Sequence, residues 1–126
     1  MKMRAFNHLN LVVSDVERAA EFYESVFGME REWQIGDFIF LRCGDADLAL
    51  VGGKPEFHRK FHFGFRLRSR QEVDRWREHV EALGVPVVHG PKDYGEYYTF
   101  SCQDPDGHHI EVYHETSVGG RKTPDS

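Results

Sequence analysis

Hydrophobic and polar positions follow the same order twice along this chain. The first half opens with the run HLNLVV, which begins at His8, and the second half opens with HFGFRL, which begins at His62. Such runs are typical of β-strands, in which successive side chains point to opposite faces. The repeat therefore predicts two similar modules, each with a histidine at the start of its first strand.

A helix is predicted after each of these strands. Its start is marked by a serine followed three residues later by a glutamate, which is the pattern of a capping box, and its end is marked by a glycine. These residues are Ser14, Glu17 and Gly28 in the first half, and Ser69, Glu72 and Gly84 in the second. Apolar residues at helical spacing lie between them, and the first helix is predicted over 15–27.

Short apolar or alternating runs separated by polar turns predict the remaining strands. With the two opening strands, they are Phe6–Val13, Glu30–Ile35, Phe38–Cys43, Asp47–Val51, Lys60–Leu67, Val85–His89, Glu96–Cys102 and His108–His114. The stretch 90–95, rich in glycine and bracketing Pro91, is predicted to be a loop. Both halves thus follow the order β-α-β-β-β.

One domain is predicted over residues 1–114. It consists of a first module over 4–52, a linker over 53–59 and a second module over 60–114, and a flexible tail follows over 115–126. The predicted fold class is α+β, with one helix over one face of each module's sheet. The other faces would form an open, cup-shaped sheet that both modules line.

The composition excludes several classes of function. The net charge is −5 and the basic residues are scattered among acids, which argues against nucleic-acid binding. No run approaches the roughly 18 apolar residues of a membrane-spanning helix, and we expect a cytoplasmic protein without membrane contact. Cys43 and Cys102 lie far apart without CxxC spacing, so both are interpreted as buried thiols.

Three residues are candidates for a metal site. His8 and His62 occupy equivalent positions of the repeat, and Glu111 lies on the last strand of the second module. The matching position of the first module is Ala49, so the pattern offers three protein ligands and leaves other positions open. Such a set suits one divalent ion of Fe, Mn, Zn or Ni per chain.

With these residues the chain resembles the vicinal oxygen chelate superfamily, which includes glyoxalase I, extradiol dioxygenases, fosfomycin-resistance enzymes and bleomycin-binding proteins. The resemblance rests on His8, on His62 opening HFGF, and on the run DPDGHHIE that ends at Glu111. It covers roughly residues 6–114. It implies paired modules with a mixed sheet, and it implies His8, His62 and Glu111 as metal ligands.

The resemblance also narrows the reaction. Glyoxalase I usually has a fourth, acidic ligand where this chain has Ala49, so that activity is not expected. Fosfomycin-modifying enzymes usually carry a threonine and a tyrosine where this chain has Asn10 and Ser101. Extradiol dioxygenases use the same three ligands with additional His and Tyr residues near the metal, and most are longer.

Further residues are candidates for catalysis or substrate binding, against the alternatives of sheet packing or surface ion pairs. His109, Tyr97 and Tyr98 are candidates for moving a proton, and only one of the two tyrosines can face the cup. Candidates for contacting substrate are Asn10, Trp33, Arg66 and Lys92, of which the last two could bind an anionic group.

The sequence thus predicts a metal-dependent enzyme that acts on a small substrate able to chelate the metal through oxygen. A dioxygenase-like or fosfomycin-resistance-like activity, by a dioxygenase, lyase or transferase, is expected rather than that of glyoxalase I. The alternative is a metal-free protein that sequesters an antibiotic, as bleomycin-binding relatives do. By resemblance we expect a homodimer, with each cup formed either within one chain or by exchange of modules.

Overall fold

The computed structural model describes residues 1–118 and 121–122. The chain divides into two compact units, residues 1–58 and residues 59–126. No helix in the described part of the chain has both the length and the apolar character needed to cross a membrane.

The first unit contains one helix and a four-stranded mixed sheet. Its elements are β1 (His8–Val13), α1 (Val16–Phe27), β2 (Glu30–Ile35), β3 (Phe38–Cys43) and β4 (Ala46–Gly52). The strands lie in the order β1-β4-β3-β2. The first strand is parallel to the fourth, and the other neighbours are antiparallel.

The second unit repeats this topology. Its elements are β5 (His62–Arg66), α2 (Arg70–Ala82), β6 (Val87–Asp93), β7 (Tyr97–Gln103) and β8 (His109–Glu115). The strands lie in the order β5-β8-β7-β6, and β5 is parallel to β8. The predicted fold class of two β-α-β-β-β modules with mixed sheets is therefore confirmed.

Each sheet buries one face beneath its helix. In the first unit, alternate residues of β1 and β3 are buried, and α1 packs over β3 and β4. The buried strand residues on the helix side are Leu11, Val13, Ile39, Leu41, Leu48 and Leu50, and Ala49 is buried on the other face. In the second unit, α2 packs over β7 and β8 and contributes Val73 and Val80. Because side chains alternate, the opposite face carries mainly polar residues in the second sheet and both polar and aromatic residues in the first.

The helix caps differ in detail from the prediction. The N-cap of α1 is Asp15, whose carboxylate accepts a hydrogen bond from the amide of Arg18 at 3.0 Å, so the assignment of Ser14 was wrong. Aspartate caps a helix as well as serine does, and its use starts the helix one residue later. Ser69 caps α2 as predicted and accepts from the amide of Glu72 at 3.1 Å.

The loop predicted over 90–95 is instead largely strand. β6 runs through Asp93, with irregular register around Gly90. Gly90 has a φ of 76°, and an added Cβ would lie 2.5 Å from the carbonyl oxygen of Thr99, so glycine is required there. β6 is an edge strand, and Pro91 falls in its register irregularity between His89 and Lys92, which are both places where a sheet accommodates proline.

The tail departs from the prediction where it is described. Glu115 belongs to β8 and is buried. Two short strands follow, β9 (Ser117–Val118) and β10 (Arg121–Lys122), which pair with each other. Residues 119–120 and 123–126, on which much of the predicted flexible tail falls, lie outside the described residues.

Both cysteines are free thiols. Cys102 is fully buried on the helix side of the second sheet, and burial raises the pKa of its thiol to about 12. Burial also raises the pKa of Cys43, which is half-buried.

The turn before β8 is held by one buried carboxylate. The Oδ1 atom of Asp104 accepts from the amides of Asp106 at 3.0 Å and His108 at 2.9 Å. Its Oδ2 atom lies 2.8 Å from Nδ1 of His108, which is also buried. This network fixes the point at which β8 enters the sheet.

We expect Asp104→Asn to lower the free energy of unfolding by about 2–4 kcal/mol, because the amide group cannot accept all three of these bonds. Asp106→Asn changes a half-exposed residue of the same turn and should cost less than about 1 kcal/mol. Urea unfolding of both variants measures the difference, and equal losses would contradict the assigned role of Asp104.

Candidate functional site

The open face of the second sheet brings His62 and Glu111 together. β5 and β8 run parallel with His62 opposite His109 and Gly64 opposite Glu111. The Nε2 atom of His62 lies 3.9 Å from Oε1 of Glu111. The histidine side chain is 59% exposed and the glutamate side chain 19%, so the pair is accessible from one side. Two of the three predicted metal ligands are therefore neighbours.

A glycine makes this neighbourhood possible. A Cβ added at Gly64 would lie 2.7 Å from the carbonyl oxygen of Glu111 and 3.1 Å from its Cβ. Atoms do not approach so closely without a shift of one strand. Gly64 therefore leaves a space between the side chains of His62 and Arg66 on β5. The Cβ atom of Glu111 occupies this space.

The hydrogen bond of His62 to the backbone sets the tautomer of its neutral ring. Nδ1 lies 3.0 Å from the carbonyl oxygen of Lys60. A carbonyl only accepts, so Nδ1 carries a proton, and in the neutral ring Nε2 presents a lone pair toward Glu111. Two acceptors that face each other at 3.9 Å are complementary to a cation. A metal-bound histidine commonly has this arrangement, with its second nitrogen donating to a carbonyl.

A threonine hydroxyl holds the carboxylate of Glu111. The Oγ1 atom of Thr99 donates to Oε2 at 2.8 Å. The side chain of Tyr97 lies on the same face, close enough to feel the charge of this carboxylate. Burial, followed by the negative charge of Glu111, raises the pKa of Tyr97 well above its usual range, so the hydroxyl stays protonated. Thr99 was not among the predicted site residues.

The two predicted tyrosines lie on opposite faces of β7. Tyr97 shares the face of Glu111, and its ring stacks on Tyr113 with the ring centroids 5.0 Å apart. Tyr98 lies on the helix side, where its hydroxyl donates to Asp74 of α2 at 2.6 Å and the pKa of Tyr98 is raised by this bond. The structure therefore places Tyr97, and not Tyr98, beside the candidate ligands.

His109 lies on the same face, next to His62. Its Nε2 atom is 3.1 Å from the side-chain amide nitrogen of Gln103, which donates to it. In this arrangement Nε2 is an acceptor and is occupied by a protein group. His109 is thus close to the pair, but one of its two ring nitrogens is already engaged.

The two predicted anion-binding residues have other partners. The Nε atom of Arg66 lies 3.2 Å from Oε1 of Glu115. This contact is an ion pair whose geometry falls short of a hydrogen bond, and it supplies a counter-charge. Lys92 lies in β6 with its ammonium group 4.9 Å from the ring centre of Tyr94. Arg66 is on the site face through its register with Tyr113.

In the first unit, His8 begins β1 and its ring Nδ1 lies 3.1 Å from Oδ1 of Asn7. Asn10 pairs with Ala49, as Gly64 pairs with Glu111 in the second unit. The two units therefore have the same register, and Ala49 is the counterpart of Glu111, as the sequence predicted.

Aromatic rings cover part of the open face of the first sheet, which is the face that carries Asn10 and Ala49. Trp33 and Phe40 stack almost in parallel, with ring centroids 4.3 Å apart and an interplanar angle of 5°. Phe38 extends the stack at 6.0 Å from Phe40. Trp33 is 49% exposed. The predicted substrate-contacting residue is thus part of an exposed aromatic surface.

Among the residues that the structure describes, no group of three or more His, Cys, Asp or Glu side chains is placed to hold a metal ion. His62 and Glu111 are paired within the second unit, and His8 belongs to the first. The three-ligand assignment stays a prediction.

Comparison with known families supports this description. The model of the Glyoxalase/Bleomycin resistance protein/Dioxygenase superfamily matches residues 5–112. The chain belongs to this superfamily. A solved structure of a possible glyoxalase from Bacillus cereus superposes with a TM-score of 0.76 and 34% sequence identity, over 87% of this chain and 98% of the other.

Two curated relatives of this chain are enzymes. The glutathione transferase FosA of Serratia marcescens is 26% identical over 119 residues, covering 88% of this chain and 81% of FosA. The manganese-dependent 2,3-dihydroxybiphenyl 1,2-dioxygenase of Geobacillus genomosp. 3 is 27% identical over 116 residues, covering 87% of this chain. The match spans only 36% of the dioxygenase.

Gly64→Ala tests the close approach of β5 and β8. We expect a loss of about 1–3 kcal/mol in the free energy of unfolding, because the new methyl group would meet backbone atoms. Gly52→Ala is the matched control, since its Cβ would meet only side-chain atoms, at 3.3 and 3.6 Å. Urea unfolding measures both variants, and a neutral Gly64→Ala would contradict the proposed contact.

Proposed function

We propose that this chain is an enzyme that uses one divalent metal ion to act on a small substrate that binds the metal through oxygen. The observation that carries the proposal is the pair of facing acceptors, Nε2 of His62 and Oε1 of Glu111, at 3.9 Å. The manganese dependence of one relative supports it. We further propose His8 as the third ligand.

A bound divalent ion would supply a Lewis acid that stabilises negative charge developing on a substrate oxygen. His62 and Glu111 would hold it, with the histidine ring oriented by the carbonyl of Lys60. Tyr97 is the protein group best suited to hold a proton beside a substrate, because its hydroxyl lies at Glu111 and stays protonated. His109 is second, since Gln103 engages its Nε2 atom.

The first unit bears on which reaction is catalysed. Ala49 is buried and apolar at the counterpart of Glu111, so it supplies no fourth ligand of the kind expected in glyoxalase I. The match to FosA extends over most of both chains, whereas the match to the dioxygenase covers about a third of that enzyme. We therefore propose a fosfomycin-resistance-like transfer reaction in preference to ring cleavage.

Metal binding tests the proposal directly. We expect the protein to bind about one Mn²⁺ or Zn²⁺ per chain in calorimetric titrations. His8→Ala, His62→Ala and Glu111→Ala should each weaken binding by more than about 100-fold, because each removes a ligand and not merely a supporting group. Their circular dichroism should match the parent protein.

His79→Ala is the matched control, because it removes an exposed histidine from α2. It should bind metal as the parent protein does. Full metal occupancy in Glu111→Ala would refute the assigned ligand set.

Activity and assembly are tested with the metal-loaded protein. Consumption of glutathione in the presence of fosfomycin is expected, and cleavage of 2,3-dihydroxybiphenyl is not. We also propose a homodimer, which light scattering measures. Mixing His8→Ala with Glu111→Ala distinguishes its two forms, since recovery of metal binding requires ligands from both chains.

A second candidate function is metal-free sequestration of a planar aromatic antibiotic. The exposed stack of Trp33 on Phe40 favours it, because such a surface offers a face to another flat ring. The superfamily includes bleomycin-resistance proteins, which supports this alternative.

For this second function, we expect calorimetry with bleomycin to detect binding that is unchanged by EDTA. Trp33→Ala should weaken it by about 2- to 10-fold, which corresponds to an aromatic pair of about 0.5–1.5 kcal/mol. Trp76→Phe, on α2, is the control and should bind normally. No binding by the parent protein at millimolar concentration would exclude this function for bleomycin.

A further inference from the structure

We propose that Thr99 is a positioning residue that orients the carboxylate of Glu111 for metal binding. This inference rests on the proposed function, in which Glu111 is a ligand. It assigns a role to a residue that the sequence pattern did not single out.

The two oxygen atoms of Glu111 have different surroundings. Oε2 accepts a hydrogen bond of 2.8 Å from Oγ1 of Thr99. Oε1 faces Nε2 of His62 at 3.9 Å. The hydrogen bond thus ties one oxygen to the protein and leaves the other directed at the neighbouring candidate ligand. Supporting groups of this kind commonly orient metal-ligating carboxylates.

Thr99 is itself rigidly held. It is 3% exposed and lies in β7, an inner strand that pairs with β6 at Lys92 and with β8 at Tyr113. A threonine has few side-chain conformations because its Cβ is branched. The close packing of Gly90 against the Thr99 carbonyl also fixes the backbone there. The hydroxyl is therefore placed before any metal binds.

The burial of Thr99 also limits what it can do. A side chain with 3% exposure is poorly placed to contact substrate, so its effect must pass through Glu111. Valine would fill the same volume without a buried hydroxyl that needs a partner. A role in packing alone would therefore be served equally well by valine, whereas orientation of the carboxylate requires the hydroxyl.

The test is calorimetric titration with Mn²⁺ of two pairs of proteins in which one member has a hydroxyl at position 99 and the other lacks it. The pairs are the parent protein with Thr99→Val, and Thr99→Ser with Thr99→Ala. We expect Thr99→Val to bind Mn²⁺ about 10- to 100-fold more weakly than the parent protein, and Thr99→Ser to stay within about 3-fold. Thr99→Ala should be weaker than Thr99→Ser by a similar factor, which provides the comparison if Thr99→Val fails to fold. The absorption spectrum of bound Co²⁺ should shift in the variants without the hydroxyl.

Ser101→Ala is the matched control, since Ser101 lies on the same strand and face and pairs with Glu111 in register. It should bind Mn²⁺ normally. If Mn²⁺ affinity depended on the methyl group of residue 99 and not on its hydroxyl, Thr99→Val would bind normally and Thr99→Ser weakly. This result would overturn the inference. If Glu111→Ala abolishes binding while Thr99→Val and Thr99→Ala leave it intact, only this inference fails. If Glu111→Ala binds normally, the proposed function and the inference both fail.

Discussion

The contact between β5 and β8 at Gly64 is the constraint on which the candidate site depends. The strands are parallel, and their register sets a glycine beside Glu111. Because Gly64 has no Cβ, the Glu111 side chain can leave β8 directly beside β5 and place its carboxylate near His62. A register shift of one residue would send Glu111 to the helix side and expose Ile110. The buried apolar residues of β8 therefore enforce the position of its polar ones.

The alternation of side chains also puts the stabilising apolar residues of the second sheet on one face and the polar residues of the candidate site on the other. Phe100, Ile110 and Val112 are buried on the side of α2 and supply hydrophobic stabilisation. The opposite side gathers acceptors and partly desolvated hydroxyls around Glu111. An incompletely neutralised carboxylate in such surroundings favours the fold less than an apolar residue would. A bound cation would offset that cost by linkage between binding and folding.

Most of the fold follows from local patterns. The predicted bounds of β2 and β3 match the structure. Both strands are bounded by strong local signals, which are the end of α1 and the tight turns that flank β3. The extent of β6 does not follow from local signals, since glycine and proline at positions 90 and 91 indicate a loop and only pairing with β7 makes the segment a strand. The start of α1 was missed by one residue because Ser14 and Asp15 are both good caps.

The candidate site is predictable only in part. His62 stands out because it repeats the position of His8, and Glu111 stands out because it ends the run DPDGHHIE. Thr99 carries no such signal, since threonine is common in strands and its partner is 12 residues away in sequence. The pairing of Arg66 with Glu115 was hidden for the same reason, as it depends on which residues two strands bring together.

The shared register of the two units also shows how one backbone arrangement can carry different side chains. Asn10 opposite Ala49 repeats the backbone arrangement of Gly64 opposite Glu111, but only the second has an acid. Steric exclusion at Gly64 leaves almost no choice of residue there, whereas the first half accepts asparagine at the same point. The second sheet therefore excludes a side chain at position 64, whereas the first sheet presents a polar side chain at position 10.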